Sequence, residues 1–245
     1  MEPSDAPHAL RSFRDSLYGE CLYRRADALF ELTDALLTAD AVPSPVHLSL
    51  QASHRHGWGS LYAALWRERI DAEAVRGLLA RHPLAGSGTT TPVYAVDVSM
   101  WPRCDAKSSP ERGFYYHPSR HSAGQPIVAG WAYQFIAQIG FERESWTAPV
   151  DALRVHPTED TNMVATGQVK ALLKRLGSEE ATLPLFVFDA GYDPVKLQQG
   201  LEGSSPCQIL VRLRAGRHFY AASTPIRASP ARPPTPAGRV ATARR

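Results

Sequence analysis

The sequence predicts an α/β protein, a mixed sheet flanked by helices and preceded by a small all-helical N-terminal region. Three observations predict it. Residues 9–82 carry apolar positions at helical spacing. The small, polar stretch AGSGTTTP at 85–92 then breaks the pattern. Beyond it, apolar runs of strand length come first and then alternate with helical segments, the order expected of a mixed sheet covered by helices.

In the first region, ADALFELTDALLTAD (26–40) sets Leu29, Leu32, Leu36 and Leu37 on one helical face. After Pro43 and Pro45, residues 59–83 read as two short helices with a turn near Arg69–Asp71, their apolar faces supplied by Leu61, Leu65, Val75, Leu78 and Leu79. Two short helices joined tightly are compatible with a DNA-docking helix-turn-helix. No base-reading signature accompanies them, so a small helical bundle is the expectation.

In the second region, VYAVDVS (93–99) is the first strand, PIVAGWAYQFIAQI (126–139) one or two strands, and WTAPVDALRV (146–155) another. A helix over 161–176 follows from the stripe Val169, Leu172, Leu173 and Leu176. PLFVFDAGY (184–192) reads as a strand buried on both faces. Asp193 and Pro194 make the N-cap and first residue of a helix running to about Leu201. QILVRLR (208–214) closes the series, with Ile209, Val211 and Leu213 alternating against arginines.

At 245 residues the chain suffices for one large domain or two small ones. The expected division is 1–88 helical, 89–221 sheet-bearing and 222–245 outside any fold. Net charge is +3, compatible with a nucleic-acid partner and no proof of one. Cys21, Cys104 and Cys207 match no metal-ligand spacing and suggest a reducing compartment. The N-terminus has no apolar signal core and no run approaches membrane-spanning length, so no membrane partner and a cytoplasmic location are expected.

Residues 222–245 contain six Ala, five Pro and five Arg with no acidic or aromatic residue, and cannot build a core. Such a segment is either a basic tail that binds nucleic acid or the product of a G/C-rich gene read out of frame; the composition favours the second.

Two aspartates stand where apolar runs end: Val93–Val96 leads into Asp97, and Leu185–Phe188 into Asp189. Taken singly, each is a natural turn residue. Together, in matching contexts, they read as metal ligands, because an unpartnered charge at the end of a buried strand is a costly packing choice. Side by side in one sheet, two carboxylates suit Mg²⁺, which takes hard oxygen ligands. Paired ions about 3.5–4 Å apart serve phosphodiester transfer.

VYAVDVSMWPRCDA, then GQPIVAGWAYQFIAQI and SWTAPVDALRV, then FVFDAGYD resembles the catalytic domain of bacterial DDE transposases, within them a group of insertion-sequence transposases found in actinomycetes. The resemblance covers about residues 90–221 well and the helical region more loosely. It implies a ribonuclease H-like fold in which three acids hold two Mg²⁺ (or Mn²⁺) ions that cut DNA at transposon ends and join the freed 3′-OH to target DNA. Asp97 corresponds to the first catalytic and metal-binding acid and Asp189 to the second. The implied partners are transposon-end and target DNA and a homo-oligomer, at the nucleoid of a bacterial cytoplasm.

The family's third acid, usually Glu, sits on a helix well past the QILVRLR strand. Here no Asp or Glu follows Glu202. Asp193 is the nearest substitute, but its N-cap role fits better. The expectation is therefore a truncated or frameshifted transposase with a weakened, inactive site; the alternative is a non-catalytic DNA-binding fragment. Exposed apolar surface is expected where the missing helix would pack.

Other candidates are weaker. His117, Arg120 and His121 follow the first strand and either line DNA phosphates or the active site, or belong to a polar hairpin. Lys170 and Lys174, with Arg175, form a solvated helix face open to phosphate contact. Trp131 and Trp146 are expected in the core, and His54 and His56, without a third ligand, on the surface.

Overall fold

The computed structural model describes residues 6–67, 69–84, 91–117, 126–140, 147–177 and 183–216. Residues Met1–Leu213 form one compact unit. Its N-terminal part is helical: α1 (Ala6–Ser16), a π-helical turn (Leu17–Cys21), α2 (Ala26–Thr38), α3 (Pro45–Ser49), α4 (Trp58–Arg67) and α5 (Ala72–Ala80). Polar caps set the boundaries. The Ser44 hydroxyl accepts from the His47 N–H with Pro45 in the first turn, and Asp71 Oδ1 accepts from the Glu73 and Ala74 N–H groups.

On α2 the buried stripe is Ala28, Leu29, Glu31, Leu32 and Ala35. Leu36 and Leu37, expected on that face, are exposed, because the contact with α4 and α3 is made through Ala28, Leu29, Leu32 and Ala35.

The two short helices after Pro45 do occur, but not as a helix-turn-helix unit. α4 packs on α2 and α3, whereas α5 packs on the π-helical turn, on β4 (Thr147–Val155) and on α6 (Thr161–Leu176). Arg76 is the fastener. Its Nε donates to Asp151, its Nη1 to Glu73 at 2.6 Å, and its Nη2 to the Ala152 carbonyl at 3.0 Å. Glu73 in turn binds Arg175 of α6. The expected boundary near residue 88 thus separates two patterns of secondary structure inside one compact unit.

The sheet contains β1 (Val93–Pro102), β2 (Gly113–Tyr116), β3 (Ile127–Ile139), β4, β5 (Leu185–Phe188) and β6 (Gln208–Val211). β3 is a single long strand, antiparallel to β1, β2 and β4. Gly130 pairs with both Pro102 and Gly113, and Ala132 with both Met100 and Val155. A strand has two edges, so β2 and β4 share the edge of β3 opposite β1. On the other side β1 pairs in parallel with β5, and β5 with β6. This is the mixed, helix-flanked sheet expected from the sequence, with α6 and α7 (Pro194–Leu201) as its covering helices.

Alternation explains which face is covered. Tyr94 and Val96 of β1, Ile136 of β3, and Phe186 and Phe188 of β5 point to one side, where Val169, Leu172 and Leu173 of α6 and Leu197 of α7 complete the core. Tyr94 and Phe186 stack at 5.3 Å. β5 is not buried on both faces as its composition implied. Leu185 and Val187, on its other side, are only half-buried. β6 stops at Val211, short of the expected Arg214, and its Leu210 is 56% exposed.

Replacing Arg76 with Ala leaves Asp151, only 4% exposed, without its cation. Removing one partner of such a buried pair costs about 3–5 kcal/mol. Chemical denaturation should show a loss of that size; a change under about 0.5 kcal/mol, ordinary for surface sites, would refute the role of this contact.

Candidate active site

Asp97 and Asp189 lie on adjacent strands at equivalent places. Val96 is the Cα partner of Phe188 in the parallel β1–β5 ladder, and each aspartate is the next residue. For Asp189 this is the end of its strand. For Asp97 it is not: β1 runs on to Pro102 along β3, and Asp97 stands mid-strand opposite Phe135. The strand-end expectation for Asp97 fails because apolar and polar residues alike keep pairing with β3. What ends at Asp97 is the partnership with β5.

Neither carboxylate is buried. The desolvation argument for metal binding therefore does not apply, and geometry replaces it. Asp97 Oδ1 accepts the Val98 N–H at 2.8 Å, and Asp189 Oδ1 accepts the Gly191 N–H at 2.7 Å. One oxygen of each acid is thus tied to backbone, which fixes the carboxylate's direction and leaves Oδ2 for a ligand. Tyr192 reports that the two acids share a neighbourhood. Its ring is buried edge-on against Phe188 at 5.2 Å. Burial, then the charges of Asp97 and Asp189, push its hydroxyl's pKa well above the ordinary value. Two oriented carboxylates with free oxygens are a hard-donor pair suited to Mg²⁺ or Mn²⁺. Among the described residues no group of three or more His, Cys, Asp or Glu side chains is placed to hold a metal.

Asp193 does not join them. It caps α7, with Oδ1 accepting the Val195 N–H at 2.8 Å and the Lys196 N–H at 3.4 Å. Lys170 and Lys174 ride on α6, which covers the face of the sheet opposite Asp97, so the structure does not bring them to the acid pair. His117 closes the β2–β3 hairpin, its N–H donating to the Pro126 carbonyl at 2.7 Å. Pro126 lies roughly 30 Å along β3 from Phe135, at about 3.3 Å per residue, so the structure does not bring His117 to the acid pair. Arg120, His121 and Trp146 lie outside the described residues.

Two further expectations are corrected. His54 is buried, not a surface residue. Beside it Glu31, also buried, binds the His56 Nδ1 at 2.7 Å and both the Nε and N–H of Arg55 at 2.8 Å. Burial opposes the charge of Glu31, but the bonds from His56 and Arg55 outweigh it and hold the carboxyl at about 2. This anchor ties the loop before α4 to α2 and stands apart from the acid pair. Trp131, expected in the core, is half-buried and meets the exposed Trp101 across β1 and β3. The orienting N–H groups of Val98 and Gly191 were not foreseen. The Ala-Gly-Tyr following Asp189 was their only signal.

A Cβ at Gly191 would meet Asp189 Oδ1 at 2.9 Å, closer than side chains tolerate. Gly191→Ala should therefore turn the carboxylate and weaken divalent-cation binding about 10- to 100-fold, the usual effect of disturbing a ligand's support. Being exposed, it should leave the melting temperature nearly unchanged. Cation-induced thermal stabilisation measures both; an unaltered cation response would count against the orientation argument.

Comparison with known proteins adds the family. Among solved structures, a strand transfer complex of the Drosophila P element transposase is similar at 17% identity and a TM-score of 0.39, covering 86% of this chain and 47% of that one. A piggyBac transposase synaptic complex with hairpin DNA is similar at 12% identity and a TM-score of 0.37, covering 89% and 43%. The chain spans less than half the length of either. No curated protein matches it. A family model described as DDE superfamily endonuclease matches residues 18–245, a range that includes the Pro/Ala/Arg-rich segment. With nearly the whole chain matched, the protein belongs to the DDE superfamily endonuclease family.

Proposed function

We propose that this chain is the catalytic part of a bacterial insertion-sequence transposase of the actinomycete type, acting on transposon-end and target DNA by metal-dependent phosphodiester cleavage and strand transfer. The observation that carries the proposal is the pair Asp97 and Asp189, set next to each other by the β1–β5 ladder, each with one oxygen tied to backbone and the other free.

Asp97 and Asp189 would hold Mg²⁺ or Mn²⁺, and a bound ion would supply activation of the attacking oxygen and stabilisation of the leaving one. The protein's own contribution is orientation. The Val98 and Gly191 N–H groups fix the two carboxylates before any ligand arrives, which lowers the reorganisation needed on binding. Exposure of both acids gives a DNA backbone access to them.

Among the described residues no third acid joins Asp97 and Asp189 in a group that could hold a metal. That favours a second reading, a DNA-binding chain with little or no cleavage activity of its own, acting in oligomers at DNA within the bacterial cytoplasm.

Nicking of labelled DNA by the full chain in Mg²⁺ and in Mn²⁺ separates the two. The first reading predicts slow, metal-dependent cleavage that Asp97→Asn lowers by more than roughly 100-fold, beyond the effect of outer-shell changes, with DNA binding retained. Binding without cleavage in either metal establishes the second. Cleavage indifferent to Asp97→Asn would overturn the assignment of the acid pair.

A further inference from the structure

On the face of the sheet that carries Asp97, alternation sets Trp101 of β1 opposite Trp131 of β3, with Tyr133 diagonal to it. Ring centroids stand 6.1 Å apart for Trp101 and Trp131, and 6.2 Å for Trp101 and Tyr133. Phe114 of β2 belongs to the same face, since its partner Ala129 is two residues before Trp131. Trp101 is 52% exposed and Phe114 60%. Each of three rings also carries a guanidinium: Arg103 over Trp101 at 5.8 Å, Arg154 over Trp131 at 5.7 Å and Arg112 over Phe114 at 5.6 Å.

Contiguous exposed aromatics on one face mark a binding surface. The arginines say of what kind. Arg103 pairs with Asp105 at 2.8 Å, Arg154 with Glu111 at 3.3 Å, and Arg112 donates to the Ser109 carbonyl. Carboxylates thus offset two of the three guanidiniums, and the surface chiefly presents flat planes. Unpaired nucleobases fit that chemistry, because every base has a π face that stacks on aromatic rings. Trp101 also stands about 13 Å along β1 from Asp97, at roughly 3.3 Å per residue.

Resting on the DNA-acting reading above, we propose that Trp101, Trp131, Tyr133 and Phe114 form a stacking platform for unpaired bases of a DNA strand whose backbone reaches the Asp97–Asp189 pair.

The test is binding of a labelled oligothymidylate to the full chain in EDTA, followed by fluorescence anisotropy, beside a duplex of equal length. Trp101→Ala should weaken single-strand binding about tenfold, and Trp101→Phe should restore most of it. Phe114→Ala, at a more exposed position, repeats the test should Trp101→Ala fold poorly. Affinity should fall only shallowly with salt. Unchanged affinity in both alanine variants overturns the platform. So does equal loss on duplex with a steep salt slope, which marks a phosphate surface, or a change of oligomeric state with DNA binding intact, which marks a protein interface. Its failure is separable from that of the catalytic reading. Asp97-dependent cleavage with intact Trp101→Ala binding sinks only the platform, and Trp101-dependent binding without any metal-dependent cleavage sinks only the nuclease.

Discussion

The parallel pairing of β1 with β5 is the constraint on which the rest of the molecule depends. It spans only Val93–Val96 against Leu185–Phe188, yet it sets the two aspartates side by side. Its register is held from within. Tyr94 stacks on Phe186, and Val96 and Phe188 enter the same core under α6 and α7. A slip of one residue would turn the apolar set outward and swing one aspartate into the core. The same alternation that buries the phenylalanines therefore presents the acids.

The two faces of the sheet are built for different ends. One is closed by α6 and α7 over an apolar core. The other carries Asp97, Ser99 and Trp101 along β1, with Phe135 38% exposed opposite the acid. The N-terminal helices do not cover that face through a domain of their own. They join at the β4 edge, where Arg76 and Glu73 of α5 bind Asp151 and Arg175. Among the described residues this leaves Asp97, Ser99 and Trp101 of β1 exposed.

Much of this was legible in the sequence where local chemistry decides. Asp193–Pro194 and the apolar stripe of α6 mark these helices through short-range hydrogen bonds and spacing, and both helices fall where those signals put them. The aspartates were legible as a pair because each follows an apolar run. What was not legible depends on partners distant in the chain. The length of β1 past Asp97 is set by β3, the burial of His54 by its tertiary surroundings and the docking of α5 by Asp151, 75 residues beyond Arg76. Trp131 looked like a core residue because a strand pattern does not say which of its faces a helix will cover.

The central claim is that Asp97 and Asp189 act on one cation together. Electron paramagnetic resonance of Mn²⁺ added to the full chain tests it most directly, with Asp97→Asn, Asp189→Asn and the double variant compared. A shared site predicts that each single change removes most of the bound Mn²⁺ and that the double change adds little more, the non-additivity expected of residues in one network. Independent, additive losses, or Mn²⁺ binding that neither change affects, would contradict it.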